Sequence, residues 1–210
     1  MTETPLMADM GAFREAVTAW AAGGPGDRAR DLAARLPVRT AVLLEGPSDV
    51  AAVDALAASR GRNLAAEGVC VVSMGGAMNV GRYARLLGPP GLGLRLTGLC
   101  DAAERSYYAR GLQRADAAEE FFVCAADLED ELIRALGVAR VKELVQEEGD
   151  LRALQTFLHQ PAQKDRSSQQ QLRRFLGTKK GRKIRYGHVL VAALYSDRIP
   201  APLDGLLTSL

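Results

Sequence analysis

Six carboxylates stand at or just beyond the ends of apolar runs in this 210-residue sequence: Glu45 and Asp49, Asp101 and Glu104, Asp127 and Glu129. Gathered in one place, such acids repel one another unless a cation neutralises them, and hard oxygen ligands of this kind suit Mg2+ or Mn2+. For any single one of them helix capping is an equal explanation. Asp and Ser are favoured at helix N-termini, and Ser48-Asp49 and Asp127-Leu128-Glu129-Asp130 are good first-turn sequences. As a set, at three strand ends, they point to a metal site. A second chemical feature is basic. Nine bases face one acid from Pro161 to Tyr186, whereas thirteen acids face six bases from Asp101 to Asp150, so a formal net charge of +2 hides two blocks of opposite sign. The basic block suits an anionic partner; its plainer explanation is the solvated face of two helices.

Those acids need a scaffold that carries three strand ends to one edge. RTAVLLEG (39–46), GVCVVSMGG (68–76), LRLTGLCD (94–101) and EFFVCAAD (120–127) are apolar runs of strand length, separated by helical stretches at about 48–59, 77–88 and 102–114. Such runs, apolar on both faces and alternating with helices, predict an α/β fold with a parallel sheet of about four strands. Right-handed crossovers then align the strand C-termini along one edge, where open α/β sheets bind their ligands. Neighbouring strands lie about 4.8 Å apart, so carboxylates on adjacent strand ends can share a cation. Before the sheet, residues 10–36 predict two short helices around GGPGD, and Trp20 is expected to pack one of them onto the core. After Asp127 the apolar spacing becomes helical, through Leu128, Leu132, Leu136, Val138, Val141, Leu144 and Val145. Further helices are expected at 150–159, 167–176 and 184–195, with a polar mobile loop at 161–171 and PAPLDGLLTSL (200–210) as a tail. The division is an N-terminal helical segment (1–37), an α/β core (38–136) and a helical C-terminal extension completing the site (137–210).

Composition narrows the class. With 48% hydrophobic and 25% charged residues and a mean hydropathy of -0.05, the chain is an ordinary globular protein rather than a disordered one. No apolar run approaches the roughly 20 residues of a membrane span. MTETPLMADM has no basic n-region, so a secretory signal is not expected and the cytoplasm is the predicted location. Cys70, Cys100 and Cys124 show no C-x-x-C spacing and read as small buried hydrophobes, not as disulfides or zinc ligands. His159 and His188 lie in no ligand motif. GPPGLG (88–93) lacks the lysine of a P-loop and reads as a turn.

Glu45-Gly46-Pro47-Ser48-Asp49, closing an apolar strand, resembles the E-G-x-x-[DE] signature of the TOPRIM fold, in the branch found in overcoming-lysogenization-defect (OLD) family nucleases. The later order agrees over about 38–195: Ser73-Met74-Gly75-Gly76, then Asp101, then Asp127-Leu128-Glu129, then a late lysine. The resemblance implies cleavage of DNA phosphodiesters with two Mg2+ or Mn2+ ions. Matched residue by residue, Glu45 and Asp49 correspond to the first acidic pair and Asp101 to the first aspartate of a D-x-D motif. Glu129 corresponds to the late acid, with Asp127 where serine is common, and Lys183 to the active-site lysine. The metal ligands implied are Glu45, Asp49, Asp101, Glu104, Asp127 and Glu129, with Glu45, Asp101 and Lys183 catalytic. Lys164, Arg173, Arg174, Lys179, Lys180, Arg182 and Arg185 are the expected contacts to a phosphate backbone. The sequence departs from the family in having Ala103 as the second D-x-D residue, with Glu104 one place later, and in showing no ATPase motif. It therefore reads as a stand-alone TOPRIM module and metal-dependent nuclease. Its expected partners are DNA, an ATPase in trans and a second copy of the chain, with no membrane. The alternative function is a catalytically weakened nucleic-acid-binding or regulatory module; a nucleotidyltransferase or primase-like activity is a third.

Overall fold

Each predicted strand run forms a strand, shorter than its apolar stretch because the flanking residues turn into loops and helix caps. The structure, a computed structural model, describes residues 5–210, the side chain of Lys180 excepted. Two helices, α1 (Pro5–Ala21) and α2 (Asp27–Arg35), precede the alternation β1 (Thr40–Leu44), α3 (Pro47–Ser59), β2 (Val69–Ser73), α4 (Val80–Leu87), β3 (Arg95–Asp101), α5 (Arg105–Gln113) and β4 (Phe122–Cys124). The strands pair only in parallel, in the order β2-β1-β3-β4.

The pleat divides the strand residues between two layers, as a period of two requires. Ala41, Leu43, Cys70, Val72, Leu96 and Cys100 pack with Phe13, Val17, Tyr83 and Leu112 beneath α1, α2, α4 and α5. Trp20 joins that layer at its rim, with the Arg30 guanidinium 4.7 Å over its ring. Val42, Leu44, Val69, Val71, Leu99 and Cys124 face the other side, where α3 and the C-terminal half cover them. All three cysteines are buried and unpaired.

The C-terminal half consists of α6 (Leu128–Leu136), α7 (Val138–Glu147), α8 (Leu151–Leu158), α9 (Ser168–Leu176), α10 (Lys180–Ala192) and α11 (Ala201–Ser209). Its apolar faces share one cluster with the sheet, so the core runs without interruption past residue 136. Two expectations change here. The supposed tail is α11, whose Leu203, Leu206 and Leu207 are fully buried. Pro200 and Pro202 sit at its start, where proline is tolerated because the first amides have no helical partner. The supposed mobile loop holds a 3-10 turn at Pro161–Gln163 and then α9, whose Ser167 and Gln170 form a reciprocal capping box. Gln163 is buried, and its carbonyl accepts from Gln171 Nε2 at 2.8 Å.

Helix α10 lies hard against α3. A Cβ on Gly187 would stand 2.5 Å from the Ser48 carbonyl oxygen, so only glycine permits this approach. Among the described residues no helix is long and apolar enough to cross a membrane.

Candidate metal centre

Glu45 leaves the sheet immediately after β1, and the register fixes its neighbours. Leu44 pairs with Leu99, so Glu45 runs beside the Cys100–Asp101 end of β3. Its backbone is held from the other side, where the Gly76 amide donates to the Glu45 carbonyl at 3.0 Å. Gly76 reaches that position with φ of 125°, a conformation L side chains avoid. The Gly75-Gly76 pair that closes β2 is thus a backbone clamp on the first acid, a role its position in the sequence did not reveal.

Glu45, Asp101 and Glu104 form the cluster: one carboxylate oxygen from each lies within 4.8 Å of the others. A regular α-helix after Asp101 would have separated Glu104 from the place of residue 103 by about 100°. Instead Ala102–Glu104 form a 3-10 turn, in which side chains three apart eclipse, so Asp101 and Glu104 share a side while Ala103 faces solvent. Glu104 takes up the position facing Asp101 directly.

The electrostatics match this geometry. Burial, then the charges of Asp127, Glu104 and Glu45, push the Asp101 carboxyl up to about 7. Burial and the adjacent Glu45 carboxyl push Glu104 up to about 7 as well. Glu104 Oε2 is buried without a hydrogen-bond partner. A buried carboxylate oxygen lacking a donor is costly, and a cation is the partner such an oxygen takes. The donor set therefore fits a hard divalent ion.

The other acids are engaged differently. Asp49 accepts from the Gly46 amide at 2.9 Å, closing the EGPSD turn, and burial raises its pKa against the pull of that amide and of Lys183. Asp127 caps α6: one oxygen accepts from the Asp130 amide at 2.8 Å, the other from Arg173 Nε at 2.6 Å. Glu129 is buried, 3.3 Å from Lys183 Nζ. Burial pushes Glu129 up to about 7 against the opposing charge of Lys183, and Lys183 is itself raised despite desolvation by facing Glu129 and Asp49. Lys183 thus enters the acidic edge from α10.

The basic block is not one surface. Arg182 turns inward: it is buried, its Nε lies 3.3 Å from Asp150 Oδ2, and its guanidinium stacks 4.1 Å from the Phe175 ring. Arg185 pairs with Asp150 and Glu148, and the Tyr186 hydroxyl donates to Asp150 at 3.2 Å. Burial alone would raise Asp150, but these partners outweigh it and hold the carboxyl below its ordinary value. Arg182 is therefore withdrawn from the expected phosphate contacts, and Arg185 is committed to a structural network that joins α7 and α8 to α10. Arg174 and the exposed Lys164 and Lys179 have no carboxylate partner among the described residues. Lys180 opens α10; its side chain lies outside the described part.

The site is therefore a parallel α/β sheet with its acids on the strand-end edge and a lysine brought in from a later helix. Residues 38–102 match the sequence model of the overcoming lysogenization defect protein-like TOPRIM domain. The fold is that of the C-terminal region of the Burkholderia pseudomallei OLD protein, at 22% identity and a TM-score of 0.62, over 82% of this chain and 96% of that one. The C-terminal region of the Xanthomonas campestris pv. campestris OLD protein matches at 26% identity and a TM-score of 0.62, over 81% of this chain and 93% of that one. No curated protein sequence matches. Over residues 38–102 the chain is thus similar to the OLD-like TOPRIM domain, and its fold is similar to that of OLD protein C-terminal regions. TOPRIM domains bind divalent metals, and this chain has a carboxylate cluster, Glu45, Asp101 and Glu104, that could hold one.

Proposed function

We propose that this protein is a metal-dependent nuclease that hydrolyses DNA phosphodiester bonds at the Glu45–Asp101–Glu104 edge. The observation that carries the reading is the convergence of these three carboxylates, one of which, Glu104, also buries an oxygen without a hydrogen-bond partner. Glu45, Asp101 and Glu104 would hold one Mg2+ or Mn2+ ion, leaving Asp49, Asp127 and Glu129 for a second. When bound, such ions activate water and stabilise the leaving oxygen of an in-line displacement. The chain supplies the rest. Lys183 sets a positive charge beside the cluster for the phosphate oxygens, and Glu129 fixes its ammonium there. Asp101 and Glu104, both raised to about 7, hold protons near neutrality and release them when a cation arrives.

One observation favours a second reading, a nucleic-acid-binding or regulatory module with weak turnover. Asp127 and Glu129 are each held by a cation of the chain, so a second ion must compete with Arg173 and Lys183 for them. An ATPase in trans, a homodimer and the 38–136 / 137–210 division of labour belong to the same proposal.

Supercoiled plasmid incubated with purified protein in Mn2+, Mg2+ or EDTA tests it. Nicking in metal, absent in EDTA and lost in Glu45→Ala, is the expected result. Metal-independent nicking removes the metal site as the catalytic centre; no nicking in either metal removes hydrolysis and leaves the binding module.

A further inference from the structure

We propose that Arg166, Arg173 and Arg174 form a discrete phosphate-binding subsite, which holds one DNA phosphate flanking the bond placed at the carboxylate cluster. They line a cavity of about 370 Å3 together with Gln170 and Asp127. Its lining is charged or polar throughout, with no apolar or aromatic side chain on which a base could stack, so it suits phosphate oxygens. Asp127 is the wall it shares with the metal centre, since its charge acts on Asp101 across that wall.

The charge balance argues against an ordinary solvated face. Three guanidiniums meet a single carboxylate. The Nε of Arg173 is spent on Asp127, but its two terminal nitrogens have no partner among the described residues. Arg166 uses only Nε, donating to the Ala162 carbonyl at 3.0 Å, and Arg174 has neither an acid nor an acceptor among those residues. The same stretch satisfies Arg182 and Arg185 fully with Asp150 and Glu148, so unpaired guanidiniums are confined to this cavity's walls rather than spread along α9 and α10. Guanidinium forks bind phosphate oxygens two at a time, and two of them unpaired in one concavity match the two non-bridging oxygens of a single phosphodiester.

The subsite rests on the reading of this edge as a DNA site, and the two can fail separately. Affinity for a short fluorescein-labelled single-stranded oligodeoxynucleotide is measured by anisotropy in EDTA across a salt series, for wild type, Arg166→Gln, Arg174→Gln and the double variant. Each phosphate neutralised on a single strand contributes about 0.7 to the slope of log affinity against log salt. Because both side chains serve one phosphate, the double variant should lose about 0.7 in total, and the single losses should not add to more. A loss near twice that value, additive in the singles, would mean two phosphates on an open face and overturn the subsite. An unchanged slope would overturn it too. Plasmid nicking that persists in such a case leaves the nuclease reading standing; a one-phosphate slope loss without nicking sustains the subsite and removes the nuclease.

Discussion

Raising the pH should destabilise this protein without metal, and Asp101 sets the size of the effect. Its carboxyl titrates near 3.8 in the unfolded chain and is pushed to about 7 in the folded one, chiefly by burial and then by Asp127, Glu104 and Glu45. Between those values the native state binds more protons than the unfolded state, so this contribution is fully present below about pH 4 and is lost progressively as pH rises to 7. A displacement of about three pH units is worth ~4 kcal/mol at 1.36 kcal/mol per unit. The cluster lies at a half-exposed sheet edge where water screens it, which reduces the effect to ~1–2 kcal/mol. For a chain of this size that is a fall in Tm of roughly 2–8 °C. Glu104 and Glu129 are displaced in the same direction and steepen the trend. The assay is thermal unfolding in EDTA from pH 5 to pH 8 on wild type and Asp101→Asn. The variant should show a shallower slope and a higher Tm than wild type at pH 8. A Tm that is flat or rises over this range, or a slope unchanged in Asp101→Asn, would refute the crowding of carboxylates on which the metal centre is argued.

Four further outcomes are expected. Mn2+ should raise Tm, more at pH 8 than at pH 5 because protons compete for the same oxygens; Glu45→Ala and Asp101→Ala should lose most of the rise, and an equal rise in all three proteins would exclude the site. Glu104→Ala should weaken Mn2+ binding and nicking, whereas Ala103→Asp, directed to solvent, should leave both nearly unchanged; a strong gain in Ala103→Asp would mean the 3-10 turn is misjudged. Tyr108→Phe removes a buried hydroxyl that donates to Leu43 and Leu99 at 3.1 and 3.0 Å, and should cost about 1 kcal/mol, read as a lowered denaturation midpoint with unchanged Mn2+ affinity. Gly187→Ala must force α10 away from Ser48 and carry Lys183 with it, so nicking should fall more steeply than Mn2+ binding; parallel losses would separate Lys183 from catalysis.

What could be read from the residues was whatever depends on local pattern. Val42 and Val71 announce buried parallel strands because both faces of those runs are apolar, whereas the strand order β2-β1-β3-β4 had to come from the structure. Glu45 and Asp101 were legible for the same reason, being the first polar residues after such runs. Helix α11 was not, because Pro200, Pro202 and Gly205 resemble breakers until their positions at the helix start and against Phe122 are seen. The Arg173–Asp127 and Arg182–Asp150 pairs join residues 46 and 32 apart, a distance over which spacing carries no signal. The side of the chain on which Glu104 lies was not legible, since sequence does not distinguish a 3-10 turn from the first turn of an α-helix.

Lys183 reaches the acidic edge only because α10 is seated on α3 through Gly187. During synthesis the chain emerges from its N-terminus, so Glu45, Asp101 and Glu104 leave the ribosome well before the lysine that completes their edge. Until α10 docks, the nascent protein presents carboxylates without their cation: a surface that repels nucleic acid. On the nuclease reading proposed above, the edge would therefore engage phosphates only after the last helices have folded.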